Sequence, residues 1–332
     1  MTLLMNFGWL GLGLAMLYFG AEWLVKGSSA LALRAGISPL AVGLTVVAFG
    51  TSAPELAVSI DATKIGQGGL ALGNVVGSNI CNLALVLGAA ALVRPLGIHR
   101  QVVRFDLPLL IVVSLVFIGF LFNDGDVSLV SRTEGIILTA GIVAYVAYSL
   151  IQSKRQSLAD SAADVEVEGL EADEVEAAKK ASLPQILWYL ALIIVGLLML
   201  VKGADFLIKG GVTIAEIFSV PKTLIGLSLV AIGTSLPELA TSIVATLRGH
   251  GDIITGNAVG SCIFNVMAVI GIAAIISPIS TTELKHADLF TMLGVTVLML
   301  PFMASKRSIS RIEGAVLIAG YLGYCVYLFK AY

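Results

Sequence analysis

Two glutamates, Glu55 and Glu238, stand in otherwise apolar stretches, in the near-identical segments "GTSAPELA" (50–57) and "GTSLPELA" (233–240). An ionised carboxylate in hydrocarbon costs roughly 2.5–3.5 kcal/mol on insertion scales, so each is expected to face protein and meet a compensating charge. No basic residue adjoins either glutamate in sequence, which leaves a bound cation as the natural partner. The proline before each acid supplies further ligands. Pro54 has no N–H to donate to the carbonyl of Gly50 and its ring forces that turn open, which frees backbone oxygens around Gly50 and Thr51. Pro237 does the same around Gly233 and Thr234. Ser52, Glu55 and Ser59 share a helical face by three-and-four spacing, as do Ser235, Glu238 and Ser242. Carboxylate, hydroxyl and carbonyl oxygens on a kinked turn are hard donors, suited to Ca²⁺ or Na⁺ rather than to a transition metal. Two such glutamates facing each other would neutralise one divalent ion.

The segment after each acid also recurs, as "GNVVGSNICN" (73–82) and "GNAVGSCIFN" (256–265). Gly73 with Gly77, and Gly256 with Gly260, are spaced for close helix contact. Asn74, Ser78 and Asn82 can share one face, and so can Asn257, Ser261 and Asn265. Either helix alone reads equally well as a source of interhelical hydrogen bonds. Recurrence beside a glutamate-bearing kink favours ligands.

Such groups need a membrane scaffold to hold them. The 332-residue chain is 58% hydrophobic and 13% charged, with mean hydropathy +0.97, far more apolar than a soluble domain of this length. The net charge of −2 gives no reason to expect nucleic acid as a partner. Cys81, Cys262 and Cys325 lie in apolar stretches without metal-ligand spacing and read as small buried hydrophobes. The opening "MTLLMNFGWLGLGLAMLYFG" lacks the basic start and cleavage site of a secretory signal and is read as a first span. A window of about 20 apolar residues per crossing gives ten candidate spans, near 8–32, 38–63, 70–93, 105–123, 129–151, 184–209, 221–246, 253–277, 287–304 and 310–330. Between the fifth and sixth lies a polar stretch with eight acids and four bases, read as a solvated, partly disordered linker. It lacks the complete pattern of a calcium loop, because the twelfth position counted from Asp164 is Val175 rather than a glutamate.

An offset of 183 residues aligns 21–96 with 204–279 without a gap, with 34 of 76 positions identical. Further along, "SRTEG" (131–135) is answered by "SRIEG" (310–314). Each copy holds five spans, and an odd number makes the second copy enter from the opposite side. The expected fold is therefore an all-α integral membrane protein of ten transmembrane helices in two inverted five-helix repeats: residues 1–151 carrying the motif 50–82, an acidic linker at 152–183, and residues 184–332 carrying the motif 233–265. With the N-terminus outside, twelve Lys and Arg fall in cytoplasmic segments against five in outer ones, which places both termini outside and the linker in the cytoplasm.

The paired motifs resemble the two alpha-repeats of the sodium/calcium exchanger family, within the calcium/cation antiporter superfamily, and the likeness covers nearly the whole chain. The short linker is similar to that of prokaryotic members and has no room for calcium-binding regulatory domains. What the resemblance implies is carried over where residues match. Glu55 and Glu238 occupy the calcium-ligating acidic positions, with Thr51 and Thr234 contributing backbone oxygens. Ser52, Ser78, Ser235 and Ser261 occupy positions used for sodium, and Ala48 and Ala231 match backbone-carbonyl positions beside them. Asn82 and Asn265 form the central pair, where some prokaryotic members have an aspartate in one repeat; here both are neutral, which leaves a site charge of −2 if both glutamates ionise.

The resulting expectation is a secondary antiporter exchanging Ca²⁺ for Na⁺ across the plasma (inner) membrane by alternating access, electrogenically, with a Ca²⁺/H⁺ antiporter as the alternative. A Ca²⁺ channel or a non-transporting membrane protein stands behind both. The partners are Ca²⁺, Na⁺ (or H⁺) and the lipid bilayer, without cofactor, nucleic acid or obligate protein partner. No nucleotide loop, hydrolase histidine pair or nucleophile with a base suggests an enzyme. Glu22 with Lys26, and Asp205 with Lys209, read as intrahelical ion pairs. Asp61 reads as a solvated helix end, and Asp106 and Asp288 as acids suited to helix starts. Arg132 with Glu134, and Arg311 with Glu313, read as membrane-surface anchors; His99, His250 and His286 fall in connections.

Overall fold

The computed structural model describes residues 3–122, 128–160, 180–217, 231–281, 284–305 and 307–331. Most of the acidic linker (161–179) and the start of the seventh candidate span (221–230) lie outside the described residues, as do 218–220. The helices are α1 (Leu3–Ala35), α2 (Pro39–Thr51), α3 (Ala53–Lys64), α4 (Gly68–Val93), α5 (Val102–Leu121), α6 (Arg132–Asp160), α7 (Leu183–Ile217), α8 (Ala231–Thr234), α9 (Leu236–Leu247), α10 (Gly251–Ile276), α11 (His286–Ala304) and α12 (Arg311–Ala331). Among the described residues, eight are long and apolar enough to cross a bilayer, and the bent pair α2 and α3 makes a ninth; α9 is a shorter apolar helix of 12 residues that follows the four-residue α8. The chain is thus an all-α membrane protein.

Burial sorts these helices. Some four-fifths of the most apolar window of α4 and of α10 is buried, against a third or less in α1, α7 and α12. The apolar outer surfaces face lipid and the polar motifs sit in the central helices. α2 packs on α10, α3 on α4, and α9 on α10. Outside them, α12 lies against the second half of α4, and α6 against the second half of α10.

α1 and α7 run antiparallel in close contact, and their sequence dictates how close. A Cβ added at Gly13 would lie 2.8 Å from the Gly203 oxygen, at Gly20 2.8 Å from the Gly196 oxygen, and at Gly27 2.7 Å from the Tyr189 oxygen. Glycines seven residues apart on α1 thus meet backbone seven residues apart on α7, the small-residue packing that substitutes for a hydrophobic driving force in lipid. At 33 and 35 residues, both helices exceed the ends assigned from hydropathy. Gly256 and Gly260 show the expected close contact, with a Cβ meeting Leu40 O at 2.8 Å and Ala48 Cβ at 2.9 Å on α2. Among the described residues, nothing lies within 4 Å of a Cβ added at Gly73 or Gly77.

Short antiparallel ladders tie the connections. β1 (Leu96–Gly97) pairs with β4 (Ser308–Ile309), in register Leu96↔Ile309. β2 (Ser128–Val130) pairs with β3 (Ile279–Thr281), in register Val130↔Ile279. Gly66 and Gly249, at φ +76° and +81°, close α3 and α9 in the left-handed conformation that favours glycine. Glu134 and Glu313 cap helices: each accepts from the backbone N–H of Ser131 or Ser310 at 2.7 Å, while that serine accepts from the glutamate's N–H at 3.3 Å.

α6 continues to Asp160, nine residues past the boundary placed at 151, because charged and polar helix formers carry the helix beyond the apolar stretch. Two sequence expectations, the partners of Glu22 and of Asp205, need correction. Glu22 pairs with Arg248 from the end of α9 rather than with Lys26. Asp205 pairs with Lys202 at 3.5 Å rather than with Lys209. Neighbouring helices, invisible to a single-helix spacing argument, decide the first of these pairs.

Candidate functional site

The helix breaks fall where the prolines require. α2 ends at Thr51, Ser52 adopts φ −81°, ψ 5°, and α3 leaves at 44°, with Pro54 in its first turn, where a missing N–H costs nothing. Ser235 repeats this between α8 and α9, at φ −88°, ψ 5°. Glu55 and Glu238 therefore each occupy a helix first turn beside a break, and both are fully buried. The motif glycines let α7 close on the breaks: a Cβ at Gly50 would lie 2.5 Å from Leu197 Cδ2, and one at Gly233 2.3 Å from Ile208 Cδ1.

The two carboxylates share partners across the repeats. Ser78 and Ser235 donate to Glu55 Oε1 at 3.3 and 3.5 Å. Ser52 donates to Glu238 Oε1 at 3.4 Å. Each glutamate is thus touched by the serine that precedes the other, which holds both acids at one locus. Thr51 donates toward Asn257 Oδ1 at 3.1 Å and lies 3.4 Å from Ser261 Oγ. In the mirrored contact, Thr234 donates to Asn74 Oδ1 at 3.4 Å.

Asn74 also donates to the Glu55 carbonyl at 3.2 Å and to Ser59 Oγ at 3.1 Å. Ser59, expected beside Glu55, therefore serves to hold Asn74. Ala48 is buried, and its carbonyl accepts from the Ser52 N–H at 3.0 Å. Ala231 opens α8, and its side chain lies outside what is described. Asn82 and Asn265 are buried, each at the start of a π-helical turn, Cys81–Val86 in α4 and Asn265–Val269 in α10. Such turns recur at functional sites.

Many polar atoms on these segments are left over. Among the described residues, Glu55 Oε2, Glu238 Oε2, both amide atoms of Asn82, Asn265 Oδ1, Thr241 Oγ1 and Ser242 Oγ find no hydrogen-bond partner. Buried polar atoms are almost always paired, so this many on facing segments marks a place where an ion or water completes the set. Two carboxylates with neutral oxygens form a donor set for a hard cation. No group of three or more His, Cys, Asp or Glu occurs among the described residues, which leaves these two acids as the charge of the site.

Asn79 went unread in the sequence, and Cys262 was read only as a small buried hydrophobe. They are equivalents at the 183-residue offset and touch each other, Asn79 Nδ2 donating to the Cys262 carbonyl at 3.3 Å. The available signal was their difference inside motifs that otherwise match closely. The other acids lie apart from these contacts: Asp61 is exposed, while Asp106 and Asp288 are buried and accept from Tyr145 and Tyr324, each at 3.1 Å.

The sodium/calcium exchanger protein family model matches residues 5–153 and 188–330. The sodium/calcium exchanger MaX1 of Methanosarcina acetivorans is 31% identical over 353 residues, covering 98% of each chain. The inner membrane protein YrbG of Escherichia coli is 34% identical over 321 residues, 96% of this chain and 94% of that one. The Ca(2+)/H(+) antiporter ChaA of Bacillus subtilis is more distant, 27% identical over 318 residues, 91% of this chain and 86% of the relative. A solved structure of the sodium-calcium exchanger NCX_Mj superposes with TM-score 0.79 at 27% identity, covering 97% of this chain and 98% of that one. With its repeated acidic motifs, its apolar helices and a match over most of its length, this chain belongs to the sodium/calcium exchanger family as a short member of the prokaryotic kind.

Proposed function

We propose that the chain is an antiporter exchanging Ca²⁺ for Na⁺ across the plasma membrane by alternating access. The observation that carries this reading is the crossed contact of two buried glutamates, each with a serine from the opposite break. One Ca²⁺ between Glu55 and Glu238 would be neutralised, with carbonyls of Thr51 and Thr234 completing its shell. Na⁺ would use Ser52, Ser78, Ser235 and Ser261 with the carbonyls of Ala48 and Ala231, while Asn82 and Asn265 supply amide oxygens at the centre. Because these sets share groups, occupancy by one ion excludes the other, which couples the fluxes. With three Na⁺ per Ca²⁺, each cycle moves one net charge, worth about 2.3 kcal/mol per 100 mV.

The architecture in this proposal is ten spans, residues 1–151 and 184–332 as inverted repeats about a cytoplasmic linker at 152–183, with both termini outside. The 183-residue repeat, the antiparallel α1 and α7, and the Lys and Arg distribution support it. Access would alternate as α1 and α7 slide together across the central helices, a motion suited to their glycine-lined contact.

The similarity to ChaA favours one second reading, exchange of Ca²⁺ for H⁺ with the glutamates as proton carriers. Proteoliposomes separate the two. An outward Na⁺ gradient at clamped pH should drive ⁴⁵Ca²⁺ uptake. Uptake driven by a proton gradient and indifferent to Na⁺ would reject Na⁺ exchange in favour of H⁺ exchange, and flux independent of any ion on the opposite side would indicate a channel.

A further inference from the structure

The two central asparagines are equivalents in the repeat, yet their surroundings differ. Asn265 Nδ2 donates to Asn79 Oδ1 at 3.1 Å. Asn79 is itself tied down: its Nδ2 donates to the Cys262 carbonyl at 3.3 Å and lies 3.8 Å from Met292 Sδ, and its own carbonyl accepts from the Cys262 thiol at 3.7 Å. Asn79 is 1% exposed and Asn265 fully buried, so bulk solvent does not reach these contacts. An amide has a donor end and an acceptor end. Holding the nitrogen of Asn265 against Asn79 leaves its oxygen as the free end, and that oxygen has no partner among the described residues.

Across the repeat the matching support is missing. The counterpart of Asn79 is Cys262, whose thiol has no amide oxygen to accept from Asn82. Among the described residues both amide atoms of Asn82 are without partners. One central amide is fixed and the other can turn.

We infer that Asn79 is a positioning residue that locks the Asn265 amide with its oxygen toward the bound cation, whereas Asn82 is left to rotate between states. This rests on the reading of Asn265 as a cation ligand. A cation accepts only the oxygen end of an amide, so a locked Asn265 is a preorganised ligand and a free one spends part of its time presenting hydrogens. Partners that orient metal ligands typically change affinity by about 10–100-fold when removed.

The test is a double-variant comparison in reconstituted protein, reading the Ca²⁺ dependence of Na⁺-driven ⁴⁵Ca²⁺ uptake. Asn79→Ala should raise the KM for Ca²⁺ by about tenfold or more and change the maximal rate much less. Aspartate at 265 has oxygen at both ends and needs no orientation, so adding Asn79→Ala to Asn265→Asp should leave the KM of Asn265→Asp within about twofold or lower it. A merely structural role for Asn79 would impose the same loss in both backgrounds, and that result overturns the inference. Equal KM values for Asn79→Ala and the parent protein would overturn it too. Asn265→Leu separates this failure from that of the underlying reading: if it leaves Ca²⁺ affinity intact, Asn265 is no ligand. Should Asn79→Ala fail to fold, Asn79→Cys, which copies the opposite repeat, carries the same comparison.

Discussion

Replacing Gly20 by alanine puts one methyl group where α1 and α7 leave no room. The new Cβ would sit 2.8 Å from the Gly196 carbonyl oxygen and 3.0 Å from both Leu200 N and Met199 Cβ. Ordinary contact begins near 3.4 Å, so the two backbones must part by about 0.6 Å, the difference between 3.4 and 2.8. Helices are stiff, and that separation spreads to the Gly13–Gly203 and Gly27–Tyr189 contacts, which are equally tight. Overpacking of this kind costs about 1–3 kcal/mol. The cation-site residues lie on other helices, so the cost should fall on the stability of the α1–α7 pair and on the rate of interconversion between access states. At 1.4 kcal/mol per factor of ten, the maximal exchange rate should drop by about 5- to 150-fold, with the KM for Ca²⁺ within about twofold. The assays are thermal unfolding in detergent and ⁴⁵Ca²⁺ exchange in proteoliposomes. Gly11→Ala, on the exposed face of the same helix with nothing within 4 Å of the added atom, is the control and should behave like the parent. Gly20→Ala matching Gly11→Ala in both assays would refute this packing argument. A tenfold change in KM at unchanged maximal rate would refute the separation of the α1–α7 pair from the site.

Other perturbations follow from the same geometry. Glu134→Ala removes the capping box of α6 and should cost about 1 kcal/mol of stability, read as a lower unfolding midpoint with unchanged KM for Ca²⁺. Asn257→Leu takes away one acceptor of the Thr51 hydroxyl, which keeps the Val47 carbonyl at 3.1 Å and the Ala48 carbonyl at 3.4 Å, and should weaken Ca²⁺ binding by at most about tenfold, the low end for a ligand-orienting partner, in equilibrium ⁴⁵Ca²⁺ binding. Protons compete with Ca²⁺ for the same two carboxylates, so the KM for Ca²⁺ should rise as pH falls through the range where they protonate, and the maximal rate at saturating Ca²⁺ should recover.

Much of the site was legible because it is written twice. A proline and an acid in an apolar stretch carry a physical cost, and their recurrence at a fixed offset excludes coincidence; the breaks at Ser52 and Ser235 lie where Pro54 and Pro237 demand them. Contacts between helices were not legible. Spacing within one helix placed Ser59 beside Glu55, but Asn74 on α4 claims it. The same argument paired Glu22 with Lys26, but Arg248 on another segment is the partner. The π-helical turns at Asn82 and Asn265 were not read from composition or spacing. The glycines of α1 and α7 carried a signal in their seven-residue spacing, readable only once the two helices are known to face each other.

Coupled exchange at this site requires one divalent ion to be held by both glutamates together. Equilibrium ⁴⁵Ca²⁺ binding to purified protein measures this without transport, in the parent chain and in Glu55→Gln and Glu238→Gln, each confirmed to be folded and monodisperse in detergent. The expected result is one Ca²⁺ per chain, displaced by Na⁺, and loss of binding in either variant alone. A variant that keeps its Ca²⁺ at unchanged affinity, or a parent chain that binds two independently, would contradict the shared site.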